Sequence, residues 1–173
     1  MTSPKATSRQ HHEIPNPIIL DAGRQFHAGY TLLRKAPPQL GVLLPTLQSA
    51  SVAMELYLKA LSAREVEVQE SPLSQVVTIY AKAAIASHDP KRLLGLAVPA
   101  ARAIVEEEIR KRDRLMRFAT VEEALDAHAK LFTSSRYPYE QDSSFDGVTM
   151  EGLDQILDAL SDALRRMPTT FVA

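Results

Sequence analysis

The residues with the most chemical reach are five histidines, together with 20 lysines and arginines and 21 aspartates and glutamates; there is no cysteine. Without a thiolate the chain has no cysteine nucleophile, no disulfide, and no sulfur ligand for zinc or an iron–sulfur cluster. The histidines are poorly spaced for a metal. His11 and His12 are adjacent near the N-terminus, while His27, His88 and His128 are each isolated, and no His-Glu-x-x-His pattern occurs. A glycine-rich phosphate loop and a Gly-x-Ser-x-Gly nucleophile turn are also missing. The expectation is no metal and no cofactor.

Two groups of residues remain. Glu55 and Lys59 are one helical turn apart and share a face. One reading of them is an ion pair that orients a crowded helix. The other is that Lys59, His88 and Arg136 meet in one cleft and bind a nucleotide or RNA phosphate, with Glu55 beside Lys59 and Tyr137 stacking on a base. The second group is basic: Arg110, Lys111, Arg112, Arg114 and Arg117. It could be an RNA patch. Glu106, Glu107 and Glu108 precede its first three members by four residues each, however, which is the favourable order for ion pairs along a helix and favours a paired, solvated face.

The elements that must position these side chains are mostly helical. Asn16-Pro17 reads as an N-cap with a first-turn proline, and Ile19, Ala22, Phe26, Tyr30 and Leu33 recur at helical spacing, predicting a helix over 18–35. A second helix over 45–63 carries Leu47, Ala50, Met54, Tyr57, Leu58 and Leu61 on a broad stripe, the pattern of a helix placed centrally. Val66 and Val68 alternate with charged residues, and a β-branched run at 76–80 follows a Ser71-Pro72 turn, predicting a β-hairpin; a short helix over 74–86 is the alternative. Asp89-Pro90 caps a short helix, and another spans 100–117. Thr120-Val-Glu-Glu123 is a capping box for a helix that stops at Arg136-Tyr137-Pro138. The last helix, from about Thr149, carries Leu153, Ile156, Leu157, Leu160 and Leu164 before Pro168 ends it. The fold class expected is all-α: an antiparallel bundle of four to five helices with a small inserted hairpin. Residues 16–168 form the domain, and residues 1–15 are expected to be a disordered tail.

Three pieces taken in order carry a family resemblance. The stretch Ala50-Ser-Val-Ala-Met-Glu55-Leu-Tyr-Leu-Lys59-Ala-Leu61, then His88-Asp89-Pro-Lys-Arg-Leu-Leu94, then Arg136-Tyr137-Pro138 resemble the second helix, the start of the third helix and the exit before the last helix of HEPN domains. The resemblance implies a helical bundle, frequently homodimeric, with a cleft between its long helices. HEPN proteins include RNA-cleaving toxins and the partners of small nucleotidyltransferases, a toxin–antitoxin-like setting. The ribonuclease branch carries an Arg, four to six residues and a His late in the bundle. Here Arg165 and Arg166 are followed by no histidine. Cleavage by that mechanism needs an imidazole to move the 2′-hydroxyl proton and a guanidinium on the phosphate.

Bulk properties agree. A length of 173 residues, 45% hydrophobic, makes one domain, and a formal charge of −1 leaves nucleic-acid binding to a small local set of cations. The first thirteen residues hold no apolar signal region, and no stretch has the ~18 apolar residues of a membrane span, so a cytoplasmic protein without membrane association is expected. The function expected is a non-catalytic HEPN-like module for a nucleotide, RNA or a nucleotidyltransferase-type partner. The alternatives are a divergent HEPN ribonuclease or nucleotide-processing enzyme, and a purely structural oligomeric protein.

Overall fold

In the computed structural model, residues 7–11, 13–69, 76–136 and 148–171 are described. The chain is mainly helical with a small antiparallel sheet. In order, it forms β1 (Thr7–His11), β2 (Glu13–Ile14), α1 (Pro17–Arg34), a 3₁₀ turn (Pro38–Leu40), α2 (Leu43–Ala60), β3 (Arg64–Gln69) and β4 (Val77–Lys82). It continues with α3 (Pro90–Gly95), α4 (Pro99–Arg110), α5 (Val121–Asp126), α6 (Leu131–Arg136), α7 (Met150–Arg166) and β5 (Thr170–Phe171).

The helix starts follow their local chemistry. Asn16 Oδ1 accepts from the Ile19 amide at 3.1 Å, and Pro17 occupies a first-turn position that needs no donor. Asp89, Thr120 and Thr149 cap α3, α5 and α7 in the same way. Between the 3₁₀ turn and α2, Gly41 takes φ +64°, a left-handed conformation that favours glycine.

Apolar periodicity decides the packing. Every residue of the predicted stripe of α2 is buried, and α1, α3, α6 and α7 all pack against this helix. Leu153, Ile156, Leu157, Leu160 and Leu164 of α7 lie in the same core. In α1 the buried line differs from the predicted one. It runs through Leu20, Gly23 and Tyr30, and Phe26 is exposed. The cause is close approach: a Cβ on Gly23 would stand 2.8 Å from Tyr57 Cδ1, so the missing side chain lets α1 settle on α2 along this line.

The two strands of the hairpin reading agree with the structure, while its Ser71-Pro72 turn lies outside the described residues. β3 and β4 pair antiparallel in unbroken register from Arg64↔Lys82 to Gln69↔Val77. The expected disordered tail behaves differently over its described part, because β1 adds to the other side of β3 and β2 pairs with β5 near the C-terminus. Alternation of charged and apolar residues marks β3 as a strand; nothing local in 7–11 marks its partner.

Two helices end earlier than the periodicity predicts. α4 stops at Arg110, and the following turns tie back to α7: Arg112 pairs with Asp162, and the Arg114 amide donates to Gln155 Oε1 at 2.8 Å. The predicted helix from Thr120 is split into α5 and α6 at His128. Its Nδ1–H donates to the Ala124 carbonyl at 2.8 Å, the acceptor that its own amide would use in a continuing helix, and that amide turns to Leu125 at 3.0 Å.

Candidate functional site

Glu55 stands on the inner part of α2 with only 7% of its surface exposed. A buried carboxylate must be paired, and this one is paired twice. Lys59 Nζ, one turn along the helix, donates to Oε1 at 2.5 Å, and His88 Nδ1 lies 2.8 Å from Oε2. The Lys59 side chain is mostly buried at 15% exposure, while that of His88 is 56% exposed. The cluster therefore runs from the interior along α2 to the surface at the imidazole.

His88 is held there by the start of α3. Asp89 accepts from the Lys91 and Arg92 amides at 3.0 and 3.2 Å, fixing the chain direction one residue after His88, and the packing of α3 on α2 sets the ring over Glu55. Lys91 reaches Asp126 of α5 at 3.4 Å. Of the residues expected to form a site, Glu55, Lys59 and His88 are brought together. Arg136 is the last residue of α6, a helix that packs on α2; its side chain lies outside the description, and Tyr137 lies outside the described residues.

Chemically, both carboxylate oxygens are engaged, so Glu55 is a positioning group: it neutralises Lys59 internally and fixes the plane of the His88 ring. The imidazole stands at the mouth of this polar cluster, half exposed and held by the buried carboxylate. Among the described residues no group of three or more His, Asp or Glu side chains could hold a metal ion, and no helix is long and apolar enough to cross a membrane.

No protein-family model, curated protein or solved structure matches this chain.

A second polar cluster joins α1, α2 and α7. Tyr30 donates to Asp154 Oδ1 at 2.6 Å, and Arg34 stands 3.5 Å from the same carboxylate. His27 Nδ1 and the Tyr57 hydroxyl share a hydrogen bond of 3.1 Å, with Asp158 3.8 Å from Nε2. Burial holds His27 below its ordinary range against the raising effect of Asp158 and Asp154, and burial raises both phenols, Tyr30 with help from Asp154. This cluster was missed from the sequence, although tyrosines on apolar stripes announce phenols that need partners; Asp154 supplies one for Tyr30 and His27 one for Tyr57.

The basic residues from Arg110 onward are mainly paired. Arg110 lies 3.8 Å from Glu106, and Lys111 bridges Glu107 and Glu108 at 2.7 and 2.9 Å. Arg166 of α7 joins the same two glutamates. Arg112 takes Asp162 of α7 in place of the expected Glu108. Arg114 and Arg117 line an open cleft of about 270 Å³, but Asp113 and Glu151 share it. The paired-face reading accounts for this group better than a nucleic-acid patch.

Proposed function

We propose that this chain is a non-catalytic, HEPN-like binding module, built as an antiparallel helical bundle, whose α2–α3 cluster binds a phosphate-bearing ligand, a nucleotide or RNA. A nucleotidyltransferase-type protein is the partner class that the resemblance favours. The observation that carries the reading is the Glu55-centred cluster: one buried carboxylate holds Lys59 and His88 together where the resemblance joins helix and helix start, and opens to solvent at the imidazole. An imidazole N–H at the solvent face of this cluster is a donor that suits a phosphate oxygen. The third resembling piece, Arg136, ends a helix packed on α2.

The absence of catalysis rests on the sequence. No histidine follows Arg165 or Arg166 at the ribonuclease spacing, and both oxygens of Glu55 already have partners within the cluster. The test is direct. Purified protein is assayed for co-purifying nucleic acid by its absorbance ratio, then for RNA binding and cleavage beside His88→Ala and Arg136→Ala. Binding without cleavage, weakened in both variants, is expected; cleavage that either variant abolishes would replace the module with an enzyme.

A further inference from the structure

The three-stranded sheet has two edge strands, β1 and β4. Its order is β1-β3-β4, so β4 has no neighbour on its outer side among the described residues, and alternate residues along it direct N–H and C=O groups away from β3. Folded proteins blunt such edges with proline, a bulge or charge. β4 has none of the first two: its register with β3 is unbroken, and its sequence Val-Thr-Ile-Tyr-Ala-Lys holds one charge, at the last position. Its apolar residues are unusually open, with Val77, Ile79 and Tyr80 each close to half exposed and the preceding Val76 more so.

We infer that β4 is a dimerisation edge and that its occupant is β4 of a second copy of this chain, pairing antiparallel to make a continuous six-stranded sheet. Symmetry and charge select this occupant. A two-fold axis normal to an antiparallel sheet keeps every side chain on its own face, so paired residues come from the same face and one residue must oppose itself. Centring on Ile79 sets Val77 against Ala81 and Thr78 against Tyr80, an overlap without any charge, and leaves Lys82 beyond its end. The acidic residues Glu65 and Glu67 stand on β3. Across the new pair, one β3 is three strand spacings from the other, about 14 Å, beyond the screening length of roughly 8 Å at physiological salt. Among the described residues, the edge thus supplies backbone groups with no adjoining strand, apolar cross-strand partners and no charge opposite a like charge of its own copy. The contact differs from the helix-junction dimer that the family resemblance implies, and it does not depend on the Glu55 cluster.

The experiment is sedimentation velocity of the full chain from micromolar to millimolar concentration, with the natural absence of cysteine used as a tool. Wild type should show a concentration-dependent dimer. Ile79→Lys, which sets two ammonium groups against each other at the axis, should weaken the dimer at least about tenfold with an unchanged far-UV circular dichroism spectrum. Ile79→Cys, the sole thiol, should oxidise to a covalent dimer far faster than Met116→Cys, a control after α4 that is more exposed than Ile79; this arm stands even if the lysine variant unfolds. A wild type that stays monomeric throughout, including one whose edge binds only a foreign strand, overturns the proposal. So does a dimer that a folded Ile79→Lys variant leaves intact, or a cysteine at 79 that cross-links no faster than the control.

Discussion

Replacing Glu55 by Gln removes the charge that holds Lys59 and His88 while keeping shape and volume. Two bounds frame its cost. Breaking a fully buried ion pair by removing one partner costs about 3–5 kcal/mol, whereas a solvent-exposed pair is worth roughly 0–1 kcal/mol. Glu55 is buried and the Lys59 side chain is 15% exposed, so that half lies toward the first bound; the His88 side chain at 56% exposure lies near the second. The expected loss is about 2 kcal/mol, because the stranded ammonium relaxes partly toward solvent. In a chain of this size that lowers Tm by roughly 4–8 °C. Urea unfolding followed by circular dichroism, run on Glu55→Gln, Lys59→Met and the double variant, isolates the pair. The cycle should return a coupling of at least about 1 kcal/mol, since removing both charges leaves neither stranded. A loss below about 0.5 kcal/mol in Glu55→Gln, together with no coupling, would refute the view that the cluster is built around this carboxylate.

Other perturbations probe the parts that surround it. Gly23→Ala should destabilise by about 1–2 kcal/mol despite the better helix propensity of alanine, because its Cβ would meet the Tyr57 ring; a variant with raised Tm would show that α1 does not rely on this approach. Asp89→Ala should cost about 1 kcal/mol through the lost cap of α3, with Asp89→Asn recovering most of it in the same thermal melts. Acid should weaken the fold in two windows. Burial lowers His128 below its ordinary 6.5, so the unfolded chain binds the extra proton and stability falls as pH drops below that value; His128→Gln should flatten this slope. Hydrogen bonds from Lys111 and Arg166 hold Glu107 down at about 2 against an ordinary 4.5, so a further loss follows as pH falls between those values, and Glu107→Gln should reduce it in urea titrations at each pH.

Elements whose cause is local could be read directly from the chain. The caps at Asn16, Asp89 and Thr120, the crowded stripe of α2 and the leucine line of α7 each depend on residues within a few positions of one another, and the structure has them where the spacing puts them. The same holds for the Glu55–Lys59 pair, one turn apart. Features that depend on distant partners could not be read in this way. β1 is a strand because β3 offers it an edge, Arg112 turns from Glu108 to Asp162 because α7 lies beside it, and α5 ends where the His128 ring takes a backbone carbonyl. His88 over Glu55 is intermediate. The resemblance brought the two together, but the contact itself depends on how α3 packs on α2. The His27–Tyr57–Asp158 cluster went unread for the same reason, its members being spread over three helices.

The central claim is that the α2–α3 cluster binds a phosphate-bearing ligand without cleaving it. Fluorescence anisotropy of a labelled single-stranded RNA and of a labelled nucleotide, titrated with the protein and followed by a gel of the same RNA sample, tests it most directly. The account predicts saturable binding of at least one probe, weakened at least about tenfold by His88→Ala and by Arg136→Ala, with the RNA intact. RNA fragments that disappear in either variant, or no binding of either probe by the folded wild type, would contradict it.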